Sequence, residues 1–166
     1  MDSQATALYK AQADVFCLTD HHRVIDEKQC IAFVGQVFGK AWEAKLLPKK
    51  YLPIVDIVDS FDHIEGVASA TAGLASWCVN GTMTPRISLK QDSGMRSWVI
   101  AHECSHLILC SGRGKRADLW EHHGKEFATV MLWVVEIAFG SYMREALKAS
   151  FMLHGVEYLN TLKGRQ

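Results

Sequence analysis

Ser97-Trp98-Val99-Ile100-Ala101-His102-Glu103-Cys104-Ser105-His106-Leu107-Ile108-Leu109-Cys110 is the stretch on which the reading of this chain turns. On an α-helix, residues four apart share a face, so His102 and His106 present their imidazoles toward a common point. Glu103 is rotated by about 100° from His102, beside that point and not on it. Ile100, Ala101, Cys104, Leu107 and Ile108 fall on the opposite side. Trp98, Val99 and Leu109 lie near the histidines, so the helix is apolar almost all round and is expected to be buried.

Two imidazoles and a carboxylate are costly to bury without partners. A metal ion removes that cost, and His102-Glu103-x-x-His106 has the spacing of two zinc ligands with an adjacent general base. Shuffling a chain of this composition yields about 0.02 such strings, so context must carry part of the argument. A catalytic zinc usually has three protein ligands and a water. The compact metzincin pattern would require Gly and His where Leu109 and Gly112 stand, which excludes it.

The next candidates lie in Trp120-Glu121-His122-His123-Gly124-Lys125-Glu126-Phe127. A turn-forming, charged segment over residues 111–118 lets the chain reverse and return this cluster to the first helix. Phe127, Val130, Met131, Val134, Val135 and Ala138 recur at helical spacing, so a second helix is predicted to start near Gly124. His123 at its mouth is the leading third ligand, with Glu126 and Glu121 as carboxylate rivals. His122 reads as a solvated neighbour.

His102-Glu103-x-x-His106 followed by His123-Gly124-x-x-Phe127 resembles the signature of SprT-like zinc metallopeptidases. The chain is similar in particular to small metallohydrolases of actinobacteria and their phages, through Leu8-Tyr9-Lys10-Ala11, the Ile87-Ser88-Leu89 strand and the His-Gly-x-x-Phe turn. The resemblance is concentrated in residues 85–135. It implies a zincin-like fold, a Zn2+ cofactor, His123 as third ligand and a hydrolase of undefined substrate. The 166 residues contain no zinc ribbon of the kind some SprT relatives use on DNA, so a DNA-repair role is not expected.

The 166 residues are expected to form one zincin-like metallohydrolase domain over 1–166, long enough for a sizeable core. Composition is that of a globular protein, 49% hydrophobic and 22% charged. Lys+Arg and Asp+Glu are 18 each, so no overall basic footprint for nucleic acid exists. Arg113-Gly114-Lys115-Arg116 reads as a solvated loop. Met1-Asp2-Ser3-Gln4 opens no secretory signal and no apolar run reaches spanning length, so a cytoplasmic location is expected, bacterial or in a phage-infected host. Cys17, Cys30, Cys78, Cys104 and Cys110 form no Cys-x-x-Cys unit and read as free, structurally buried thiols.

Upstream, residues 4–17 suit a helix with Ala5, Leu8, Ala11 and Val15 on one side. Asp26 and Gln29 suggest a capping box for a second helix to about Leu47, carried by Ile31, Val34, Phe38 and Trp42. Strands are expected over 53–59, 68–79 and 86–90, with an Asn80-Gly81 turn. The layout is α+β, a small sheet packed on helices that include the active one. If the Ile87–Leu89 strand is an edge beside the cleft, it offers a peptide β-augmentation.

His154-Gly155 reads as a helix end with a Gly cap, with a fourth metal ligand as the alternative. His21, His22 and His63 read as surface residues. Tyr142 and Tyr158 are candidates for polarising a carbonyl. The expected function is a zinc-dependent peptidase with Glu103 as general base, acting on a peptide or protein. The rivals are a non-catalytic zinc-stabilised binding module and a hydrolase of a non-peptide amide; the oligomeric state is open.

Overall fold

The computed structural model describes residues 4–47, 51–62, 71–79, 82–111 and 122–160. Within them are α1 (Ala5–Phe16), a short 3-10 turn (Asp20–His22), α2 (Glu27–Glu43), β1 (Ile54–Val58), β2 (Gly73–Val79), β3 (Thr82–Lys90), α3 (Ser97–Ser111), α4 (Lys125–Phe139) and α5 (Ser141–His154). Five helices and one three-stranded sheet give the expected α+β class. The Asn80-Gly81 turn, the segment after Leu47, His63, Glu121 and the Arg113–Arg116 run lie outside the described residues.

The helices form where periodicity and caps require. Leu8, Ala11 and Phe16 turn one side of α1 into the core. At the start of α2 the Gln29 N–H donates to Asp26 Oδ1 (2.8 Å) and the Asp26 N–H to Gln29 Oε1 (2.9 Å), the expected capping box. Its buried stripe is Cys30, Val34, Val37, Phe38 and Ala41. Ile31 and Trp42, expected in the stripe, flank it and stay exposed.

The helix also stops at Glu43, short of Leu47. Lys45 takes the left-handed conformation (φ 57°), its N–H bonds the Trp42 carbonyl, and the Leu46 N–H reaches back to Ala41. That is a Schellman ending. The same ending closes α5, where Gly155 (φ 71°) supplies the left-handed residue and the Val156 N–H bonds the Phe151 carbonyl at 2.8 Å.

The sheet runs β1-β3-β2, β1 parallel and β2 antiparallel to β3. The Ile87–Leu89 strand is therefore central, so the condition under which it could take a peptide by β-augmentation is not met. Ile87 and Leu89 are fully buried. Arg86 on the same strand reaches across to the Asp56 carboxylate of β1. The edge toward α3 is β2, which packs with β3 on that helix.

Gly94, between β3 and α3, has no room for a side chain. A Cβ there would meet the Ala72 carbonyl and the Lys90 backbone. α4 packs on α3 and α5, α5 on α1, and α2 on α3. α3 is thus enclosed on nearly every side, as its all-round apolarity predicts. Among the described residues no helix is long and apolar enough to cross a membrane.

Candidate metal centre

α3 places His102 and His106 one turn apart, and the turn before α4 brings His123 against them. His102 Nε2 lies 3.1 Å from His123 Nε2 and 3.1 Å from His106 Nε2. Two nitrogens each about 2.05 Å from a tetrahedral ion stand about 3.3 Å apart. The three rings therefore converge at ligand spacing and can hold a metal ion together.

Phe127 makes the floor. It is fully buried, and its ring centroid lies 4.9, 4.3 and 5.0 Å from those of His102, His106 and His123. The His-Gly-x-x-Phe spacing follows from this packing. Gly124 caps α4 in an extended conformation, so His123 precedes the helix while Phe127 sits within its first turn, under the rings.

Behind His102 stands Gln12 of α1, which has no exposed surface. Its amide lies against His102 Nδ1, with Oε1 at 3.3 Å and Nε2 at 3.1 Å. With the oxygen as partner, Nδ1–H donates to Gln12 and the Nε2 lone pair is left for an ion. Burial, then His123, lowers the His102 pKa to about 3. Burial, then His102, His123 and His122, holds His106 well below the usual histidine range. Both rings are neutral at neutral pH, the form that ligates.

Glu103 is buried outside this convergent set, against the edge strand. Burial raises its pKa to about 8, while a hydrogen bond from the Ala75 N–H acts the other way. Ala72 pairs with Lys90 across the ladder, so Gly73 and Ala75 direct their backbone groups away from β3 and toward this edge. Gly73 is needed for the close approach. A Cβ there would lie 2.7 Å from Glu103 Cγ and 2.9 Å from Oε1.

The other candidates separate cleanly. Glu126 is only partly buried and is not in the convergent set, and His122 is exposed with its ring 6.3 Å from that of His106. His154 is engaged elsewhere, Nε2 lying 2.6 Å from Asp14 Oδ2, so it supplies no fourth ligand. Cys104 is sealed in the core, as its wheel position predicts, and Cys30 is buried too. Cys17 is exposed, correcting the expectation of burial, and Cys110 is only partly covered.

His21 and His22 are half-buried, also against expectation. His21 packs on Phe139 at 4.2 Å, and His22 Nε2 accepts a hydrogen bond from Arg96 Nη1 at 2.9 Å. Tyr142 is 83% exposed, and Tyr158 packs on Phe151. The tyrosine at the histidines is Tyr9, whose ring stacks on His102 at 5.4 Å and 18°. Tyr9 and Gln12 lie three residues apart on one helix face, a spacing visible in the sequence without anything to say what that face meets. Comparison with family models, with curated proteins and with solved structures gives no match.

Proposed function

We propose that the protein is a zinc-dependent hydrolase, and within that class a metallopeptidase of zincin-like architecture resembling the SprT-like enzymes. The observation that carries this reading is the convergence of three imidazole nitrogens, His102 Nε2 lying 3.1 Å from each of the other two, with a buried carboxylic acid next in sequence to His102. An all-imidazole set suits a borderline transition-metal ion such as zinc over magnesium or calcium, and the adjacent glutamate fits zinc hydrolysis. Held by His102, His106 and His123, zinc would polarise a carbonyl and make a water acidic near neutrality. Three donors with no fourth among the described residues favour an open catalytic position over a closed structural one.

Glu103 supplies the proton chemistry. A buried carboxyl with a pKa near 8 is held close to the range where it can both accept and return a proton. A neighbouring cation would draw it down and favour the basic form. Glu103 then takes the proton of the attacking water and passes it to the leaving nitrogen. The Ala75 N–H and the close contact at Gly73 hold the carboxylate in place.

A peptide substrate is favoured because β2, not β3, is the edge strand at Glu103, and an extended chain can pair along such an edge beyond Ala75, whose N–H is given to Glu103. Glu103→Gln should retain stoichiometric zinc and lose turnover of a peptide substrate. Full activity in that variant would sink the mechanism, and wild-type protein without zinc would sink the metal centre.

A further inference from the structure

We infer that Tyr9 is a further catalytic residue, whose hydroxyl donates a hydrogen bond to the substrate carbonyl oxygen as that oxygen gathers negative charge. This rests on the reading of the three histidines as a metal centre. α1 delivers Tyr9 and Gln12 from one face, but to different ends of the same task. Gln12 is wholly enclosed behind His102, whereas Tyr9 remains 47% exposed, at the rim where a substrate can reach it.

The position of the hydroxyl is specific. Tyr9 Oη lies 3.3 Å from His123 Nε2, the separation expected between neighbouring atoms around one small ion. The ring is fixed by its stack on His102 and by a tilted contact with His123 at 5.2 Å, so the hydroxyl is aimed by two candidate ligands.

The chemistry follows from the lone pair of His123 Nε2. It can accept the Tyr9 O–H or be given to a metal ion, and it cannot do both. Once it is given to an ion, the hydroxyl hydrogen can be given instead to an acceptor bound beside that ion. In a hydrolase that acceptor is the carbonyl oxygen, which becomes an oxyanion as water adds. Tyr9 stays protonated and donates throughout, so no net proton is consumed. Glu103 on the β2 side handles the water's proton, and the two roles fall to groups on different elements.

The test is titration of zinc-loaded protein with acetohydroxamate, a probe that brings a charged oxygen to an open metal position. Tyr9→Phe keeps the ring and its stack, so zinc stoichiometry and thermal midpoint should match wild type. Acetohydroxamate binding should weaken by roughly 10- to 100-fold, the loss of one hydrogen bond to a charged oxygen. Tyr142→Phe, at an exposed tyrosine remote from the histidines, should bind it as wild type does.

Undiminished binding in Tyr9→Phe would reduce Tyr9 to a wall of the site and overturn the proposal. Loss of zinc in that variant would overturn it too, by making the hydroxyl a ligand. Zinc-loaded wild type that binds no acetohydroxamate would deny an open position and so the donor's role. Failure of the metal reading itself appears earlier and separately, as wild-type protein that retains no zinc before any probe is added.

Discussion

A glutamine with no exposed surface is expensive unless its amide is used, and Gln12 uses it on the far nitrogen of His102. A ligating imidazole needs that second contact to hold its tautomer and its plane. Gln12→Leu preserves size and suits the surrounding core of Leu8, Ala11 and Phe16. It should therefore leave the fold in place and weaken zinc binding about 10- to 100-fold, measured by competition with a chromogenic chelator. Unchanged affinity would show that α3 alone orients the ring. The prediction separates support of a ligand from support of the core, because only the first is reported by the chelator.

At the scale of elements, local rules were readable and pairings were not. The α2 capping box joins Asp26 to Gln29, three residues away, and His102 and His106 lie four residues apart within α3; both are written in consecutive sequence. His123 could be singled out because the helix that follows it is periodic. Gln12 and Tyr9 meet their histidines across 90 and 114 residues, and nothing in α1 announces those partners. The Ile87–Leu89 alternation reads the same in a central strand as at an edge, since only the register with β1 and β2 decides.

The end of α2 illustrates a further limit, because a lysine stands where a Schellman ending ordinarily has glycine. The left-handed conformation costs a side chain roughly 1 kcal/mol. Lys45 is exposed, so Lys45→Gly should raise stability by about 1 kcal/mol and the thermal midpoint by about 3 °C. Gly155→Ala should lower both by similar amounts. A calorimetric scan checks the pair, and a destabilised Lys45→Gly would mean that the lysine side chain contributes more than its backbone costs.

The whole molecule is organised around the three nitrogens. α3 and the turn before α4 supply them, α1 covers them with Tyr9 and Gln12, and β2 holds Glu103, the neighbour of His102 in sequence. An ion at their centre would take all three lone pairs at once, which pairwise contacts at 3.1 Å between neutral rings cannot do. An ion that binds only the folded chain stabilises it by mass action, about 2.7 kcal/mol at free zinc one hundredfold above Kd. For a domain of this size that corresponds to a rise of about 5–10 °C in thermal midpoint. Stripping the metal with a chelator should remove the rise and added zinc should restore it. His123→Ala should abolish the zinc-dependent part while Glu126→Ala keeps it, since Glu126 lies outside the convergent set. A zinc-dependent rise surviving in His123→Ala would place the metal away from the three nitrogens that α3 and the turn before α4 bring together.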